Sequence, residues 1–255
     1  VNLSIERMKN HIKERLPDNE PSIYLHGSIV LDDFKPGWSD IDLLCLTKRG
    51  MTEDEANRLL HLRQELSEKY QDTLHFPSFE GGILSLDELN KKSSNPVVYW
   101  GTSGERITDQ YSLDPFSMIV LKDHGELLYG EDVRDALKDP TTMEIKNAVI
   151  SHYQIIRKYA VKTDRSLYSI GWLFDIARCI YTLRTGKVIA KTEAGRWALD
   201  NRLVPDVETM EKAIQVREEP ERYKEDDEIM KWTETLGESV QRFTDVLEKE
   251  LYGKP

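Results

Sequence analysis

The chain has 255 residues, with 35 Lys and Arg set against 46 Asp and Glu, a formal charge of −11. Hydrophobic residues make up 39% and charged residues 32%, an ordinary globular mixture long enough for one large domain or two smaller ones. This balance argues against a protein that grips a nucleic-acid backbone, and so against a polymerase or tRNA-processing role, because such a footprint needs a basic surface; it leaves room for a cationic partner.

At the N-terminus, Leu3, Ile5, Met8, Ile12 and Leu16 recur at helical spacing and Pro17 closes the run, which predicts an amphipathic helix and not a signal peptide. SIYLHG (22–27) reads as a strand ending in glycine, and DIDLLCLT (40–47) as a second strand buried on both faces. Thr52 and Glu55 are spaced as a capping box opening the helix TEDEANRLLHLRQELSEKY. A third strand is expected within LHFPSFEGGILSL (74–86), where Pro77 and Gly81-Gly82 suggest a bend or an edge, and Ser85 with Glu88 is placed to cap a short helix.

From about residue 140 the texture changes to five helical patterns in succession, divided by short breakers such as Thr185-Gly186 and Pro205; EEPERYKEDDE (218–228) reads as a solvated turn. The expected architecture is an α+β N-terminal domain over 1–140, a small mixed sheet with helices, followed by an all-α bundle over 141–255. Cys45 and Cys179 lie in apolar stretches and read as core thiols, the six histidines are scattered, and no apolar run approaches the ~20 residues a membrane span requires. A cytoplasmic protein is expected, and its opening on Val1 reads as processed or trimmed.

One segment carries chemistry. Leu25-His26-Gly27-Ser28 is followed by ten residues and then Ser39-Asp40-Ile41-Asp42-Leu43-Leu44. In a strand, alternate side chains share a face, so Asp40 and Asp42 project together while Ile41 and Leu43 point to the core. Two carboxylates on one face repel, and a pair of Mg²⁺ ions, hard and oxygen-seeking, is the usual compensation. Gly27 and Ser28 supply a backbone that phosphates can approach and a hydroxyl donor to hold them.

The same conjunction is the signature of the nucleotidyltransferase superfamily related to DNA polymerase β. GSIVLDDFKPGWSDIDLL resembles the corresponding segment of streptomycin/spectinomycin adenylyltransferases, with one extra residue near Gly37-Trp38, and IARCIYTLRTGKVIAKTEAGRWAL is similar to a segment of that family's helical half. The resemblance implies transfer of AMP from ATP to a hydroxyl: Asp40 and Asp42 would hold two Mg²⁺, Ser28 would hold the triphosphate, and Ser39 would contact it or orient the carboxylates. A third carboxylate is needed as metal ligand or base. Glu80, 38 residues after Asp42, falls where the family's catalytic Glu would, although Gly81-Gly82 departs from the family pattern there; Asp87 is the fallback.

Arg178 and Lys191 match the family's phosphate-contacting positions, with Tyr223 a further candidate. Lys191 opens a helix, where a cation opposes the dipole and a bound anion is therefore expected. This places the active site in the cleft between the domains. Trp100 sits where the family has a tryptophan against the antibiotic, and Trp172 and Asp175 share a helix from which they could reach an acceptor. The expected partner is thus a small acceptor, at its most specific a cationic aminoglycoside, and not nucleic acid or membrane. Two readings stand beside it: a protein-modifying, antitoxin-like nucleotidyltransferase, and a nucleotide-binding module with degenerate chemistry.

Overall fold

The computed structural model describes residues 1–72, 75–91, 94–101 and 104–253. The chain forms two compact units: one joins Val1–Leu31 to Asp40–Asp139, and the other joins Asp32–Ser39 to the chain from Pro140 onward.

The first unit is built on a six-stranded mixed sheet in the order β5-β4-β3-β2-β1-β6. Its strands are β1 (Ser22–His26), β2 (Ile41–Thr47), β3 (Phe79–Ser85), β4 (Val97–Gly101), β5 (Gly104–Thr108) and β6 (Glu126–Tyr129). Among the described strands only β2 and β3 run parallel, and such a pair needs a crossover, here through α2 (Glu53–Leu60) and α3 (Leu62–Lys69). Helix α1 (Asn2–Arg15) buries Ile5, Met8 and Ile12, a spacing that puts them on one side. Two further helices complete the unit, α4 (Leu86–Leu89) and α5 (Pro115–His124).

Local chemistry explains the element starts. Thr52 and Glu55 form the reciprocal capping box of α2, Ser85 Oγ accepts from the Glu88 N–H to open α4, and Asp114 caps α5 just ahead of Pro115. The expected single helix after Thr52 divides at His61 into α2 and α3. The third strand begins at Phe79, because Pro77 lies in a short 3₁₀ turn, Phe76–Ser78; Leu74, the start of the expected span, lies outside the described residues. Gly81-Gly82 does not mark an edge, since β3 runs inside the sheet between β2 and β4.

The pairing register sorts side chains between the two faces. Tyr24, Leu44, Leu46, Leu84 and Val97 meet Leu121 of α5 in one apolar cluster. Ile23, Leu43, Cys45, Ile83 and Val98 alternate with them and are buried on the opposite face.

The second unit is helical: α6 (Thr142–Tyr159), α7 (Tyr168–Thr185), α8 (Lys191–Asp200), α9 (Val207–Glu218), α10 (Pro220–Tyr223), α11 (Asp227–Thr233) and α12 (Gly237–Tyr252). Helix α7 is its apolar axis, with ten buried residues, and stops at Gly186 in a left-handed conformation (φ 71°) that glycine adopts without strain. The charge-rich stretch expected as a turn is itself partly helical, since α10 and the start of α11 fall within it. Cys45 and Cys179 are free and buried. No helix among the described residues is long and apolar enough to cross a membrane.

Candidate active site

In the sheet unit, the strand register assembles the carboxylate face. Asp42 is the second residue of β2 and lies directly beside Glu80 of β3 in the parallel ladder, while His26 of β1 lies beside it on the other side. Directly paired residues share a face, so His26, Asp42 and Glu80 form one row across three strands. Asp40 precedes β2 by one residue. Asp40, Asp42 and Glu80 are all half-buried.

Gly27 fits against this row. Its φ of +69° suits glycine, and a Cβ at this position would lie 1.8 Å from Asp42 Oδ2. The missing side chain is therefore what lets the Asp42 carboxylate lie against the backbone at the end of β1. The next residue, Ser28, has a buried Oγ without a hydrogen-bond partner among the described residues, an unusual state for a buried hydroxyl and one that a bound polar group would relieve.

Among the described residues, no three His, Cys, Asp or Glu side chains close on a common point tightly enough to hold an ion by themselves. The donor set nevertheless suits Mg²⁺, which is commonly held by one or two carboxylates together with waters and substrate phosphates. The Gly27 cradle and the Ser28 hydroxyl supply space and a polar group beside Asp42.

His26 is a feature that sequence reasoning passed over. It is buried, both ring nitrogens lack hydrogen-bond partners among the described residues, and burial draws its pKa down to about 4 against the opposing pull of Asp114. A neutral imidazole thus stands next to Asp42. The signal was present in L-H-G-S, where an ionisable residue occupies the last position of an apolar strand.

The same register corrects Trp100. It pairs with Gly81 and so lies on the face opposite Asp42 and Glu80. It is 1% exposed, and its indole N–H donates to the Leu60 carbonyl at 3.2 Å. Trp100 packs the sheet against the α2–α3 side and does not face the carboxylates.

Within the helical unit, Asp175, Arg178 and Lys191 converge. Lys191 Nζ lies 2.9 Å from Asp175 Oδ1 and Arg178 Nη2 lies 3.6 Å from it. Burial pushes the Asp175 carboxyl up, but Lys191 and Arg178 outweigh it and hold the group below its ordinary range. Asp175, expected to reach an acceptor, pairs with both cations. Trp172, three residues earlier on α7, is half-buried.

A carboxylate of the protein also meets the first turn of α8. Asp33 Oδ2 accepts the Thr192 N–H at 3.2 Å and Oδ1 accepts the Thr192 hydroxyl at 2.6 Å, while Arg217 Nη2 lies 3.0 Å from Oδ2. Both side chains of this ion pair are nearly sealed, at 4% and 5% exposure. The Arg217 guanidinium also lies 5.0 Å from the centre of the Trp38 ring. Sequence reasoning missed this pair, whose members are 184 residues apart.

Ser39 closes a turn of the same segment, its hydroxyl accepting the Lys35 N–H at 3.0 Å. Tyr223 is buried at the end of α10, and its hydroxyl accepts from Gln215 Nε2 at 2.9 Å.

Comparison with known proteins bears on both units. Residues 5–90 match the family model of the nucleotidyltransferase domain, and residues 144–249 match that of the aminoglycoside adenylyltransferase C-terminal domain. The chain thus carries a nucleotidyltransferase domain. It resembles the aminoglycoside adenylyltransferases in joining this domain to their C-terminal domain, and it is an adenylyltransferase-type enzyme. Among solved structures, this nucleotidyltransferase is similar to spectinomycin adenyltransferase AAD(9) from Enterococcus faecialis, determined with ATP and spectinomycin. That likeness has a TM-score of 0.70 at 18% identity and covers 98% of this chain and 100% of the other, and it extends the agreement in fold over both units. No curated protein matches the chain.

Proposed function

We propose that this nucleotidyltransferase moves AMP from ATP to a hydroxyl of a small, aminoglycoside-type acceptor in the cytoplasm, with Mg²⁺ held by Asp40 and Asp42 and with Glu80 as the third carboxylate. The observation that carries the reading is the adjacency of Asp42 and Glu80 in the parallel register, with Gly27 leaving room for the Asp42 carboxylate. Bound there, Mg²⁺ would neutralise triphosphate charge and help align the attacking and leaving oxygens.

The chain's own residues do the rest. Ser28 Oγ and the adjacent backbone hold phosphate oxygens, and Glu80 takes the proton from the acceptor hydroxyl or shares in holding the metal. Arg178 and Lys191 contribute the cations for the triphosphate, held in place by Asp175. The acceptor class is supported by the family of the helical domain and by the spectinomycin in the structure of the similar enzyme.

The test is mass spectrometry of an aminoglycoside panel incubated with the protein, Mg²⁺ and each nucleoside triphosphate in turn. A mass gain of one AMP on a panel member, with ATP and not the other nucleotides, is the expected result. A panel left unmodified with every nucleotide contradicts the acceptor class.

A further inference from the structure

The glycine pair after Glu80 departs from the family pattern, and the structure gives it a use. Gly81 lies at φ +143°, where a Cβ would meet the Leu43 carbonyl oxygen at 1.7 Å. At Gly82 the obstacle is a side chain: a Cβ would come within 2.7–3.0 Å of Cζ, Cε1 and Cε2 of Tyr111. The phenol end of Tyr111 therefore rests on the sheet at the place where any other residue would put its side chain.

That place is next to the chemistry. Gly82 is two residues from Glu80 on the same strand and so on the same face. The cross-strand partner of Gly82 is Tyr99, which puts Tyr99 on the carboxylate face, whereas its neighbour Trp100 is turned away. The Tyr99 and Tyr111 rings lie 6.1 Å apart at 46°, and the Arg106 guanidinium lies 4.2 Å from the centre of the Tyr99 ring. Both tyrosines are half-buried. A tyrosine phenol is a hydrogen-bond donor at neutral pH.

We propose that Tyr111, backed by Tyr99 and admitted by Gly82, is the specificity-determining residue that takes a ring of the acceptor beside Glu80. A fixed aromatic face presents contact area at little entropic cost, favours a cationic ring through its quadrupole, and carries a phenol that can donate to an acceptor oxygen. The proposal rests on the transfer reaction given above and assigns the acceptor contact that Trp100 does not make.

The experiment is steady-state kinetics of the full-length protein with Mg·ATP and spectinomycin, comparing wild type with Tyr111→Ala and Tyr111→Phe, each checked by thermal melting. Tyr111→Ala is expected to raise KM for spectinomycin about tenfold while KM for ATP stays within about twofold. Tyr111→Phe is expected to melt with the wild type and recover part of the loss. A folded Tyr111→Ala or Tyr111→Phe protein whose KM for spectinomycin matches wild type overturns the proposal and leaves the transfer reaction standing. A rise in KM for ATP alone overturns it as well. Wild-type protein that transfers nothing to spectinomycin overturns the acceptor reading, and this inference with it.

Discussion

Asp42 on β2 and Glu80 on β3 are direct neighbours in the only parallel pairing of the described sheet. Adjacent strands lie ~4.8 Å apart, and like charges in register destabilise one another unless a cation intervenes. Asp42→Asn is therefore expected to lower turnover at least about a hundredfold. Without Mg²⁺ its melting temperature should equal or exceed that of wild type, because repulsion with Glu80 is relieved. Activity within tenfold of wild type speaks against a metal at Asp42.

Glu80→Gln separates two roles for the neighbouring carboxylate. As the base, Glu80 is dispensable for binding, so the variant should bind Mg·ATP as wild type does in calorimetry and lose turnover. A matching loss of Mg·ATP affinity would identify Glu80 chiefly as a metal ligand.

Gly27→Ala tests the cradle. The substitution demands a left-handed backbone from alanine and drives its Cβ to 1.8 Å from Asp42 Oδ2. A loss of about 1–2 kcal/mol in chemical denaturation is expected from the backbone conformation, together with a fall in turnover as Asp42 is displaced. An alanine variant with wild-type stability and kinetics would show that the close approach has no functional role.

The Asp33–Arg217 pair should hold the helical unit together. Asp33→Asn leaves the sealed Arg217 guanidinium without its carboxylate, so it is expected to destabilise by about 3–5 kcal/mol in urea unfolding near neutral pH. Burial raises the Asp33 pKa, but Arg217 and the Thr192 hydrogen bonds outweigh it and leave the folded value below that of the unfolded chain. The pair's contribution is thus complete above the ordinary carboxylate range, near pH 4, and is lost as pH falls through the lower folded value. The stability difference between wild type and Asp33→Asn should narrow in that acid window. A difference that stays constant from neutral pH down to about pH 3 contradicts the assignment.

What the sequence disclosed follows the range of the interactions. Strand β2, its Asp40/Asp42 spacing, the capping box at Thr52 and the stop at Gly186 depend on residues within a few positions of each other, and they were readable directly. Strands β4, β5 and β6 were not, because short segments acquire their pattern only from the neighbours they pair with. Trp100 shows the cost of this most sharply. A shift of one residue in a strand exchanges its two faces, and the resemblance that pointed to Trp100 carried no register: Trp100 pairs with Gly81, on the face away from Asp42 and Glu80. Asp33 and Arg217 carried no local signal, since each looks like a surface charge until the fold buries them together. The Gly81-Gly82 pair was visible but unexplained without Leu43 and Tyr111.

The central claim is transfer of an adenylyl group through the Asp42–Glu80 row. Its most direct test is incubation of wild type and Asp42→Asn with spectinomycin, Mg²⁺ and ATP labelled at either the α- or the γ-phosphorus. Adenylyl transfer puts the α-label on the drug and releases the γ-label as pyrophosphate with wild type, and does neither with Asp42→Asn. Label from the γ-phosphorus on the drug, or undiminished α-label transfer by Asp42→Asn, would contradict it.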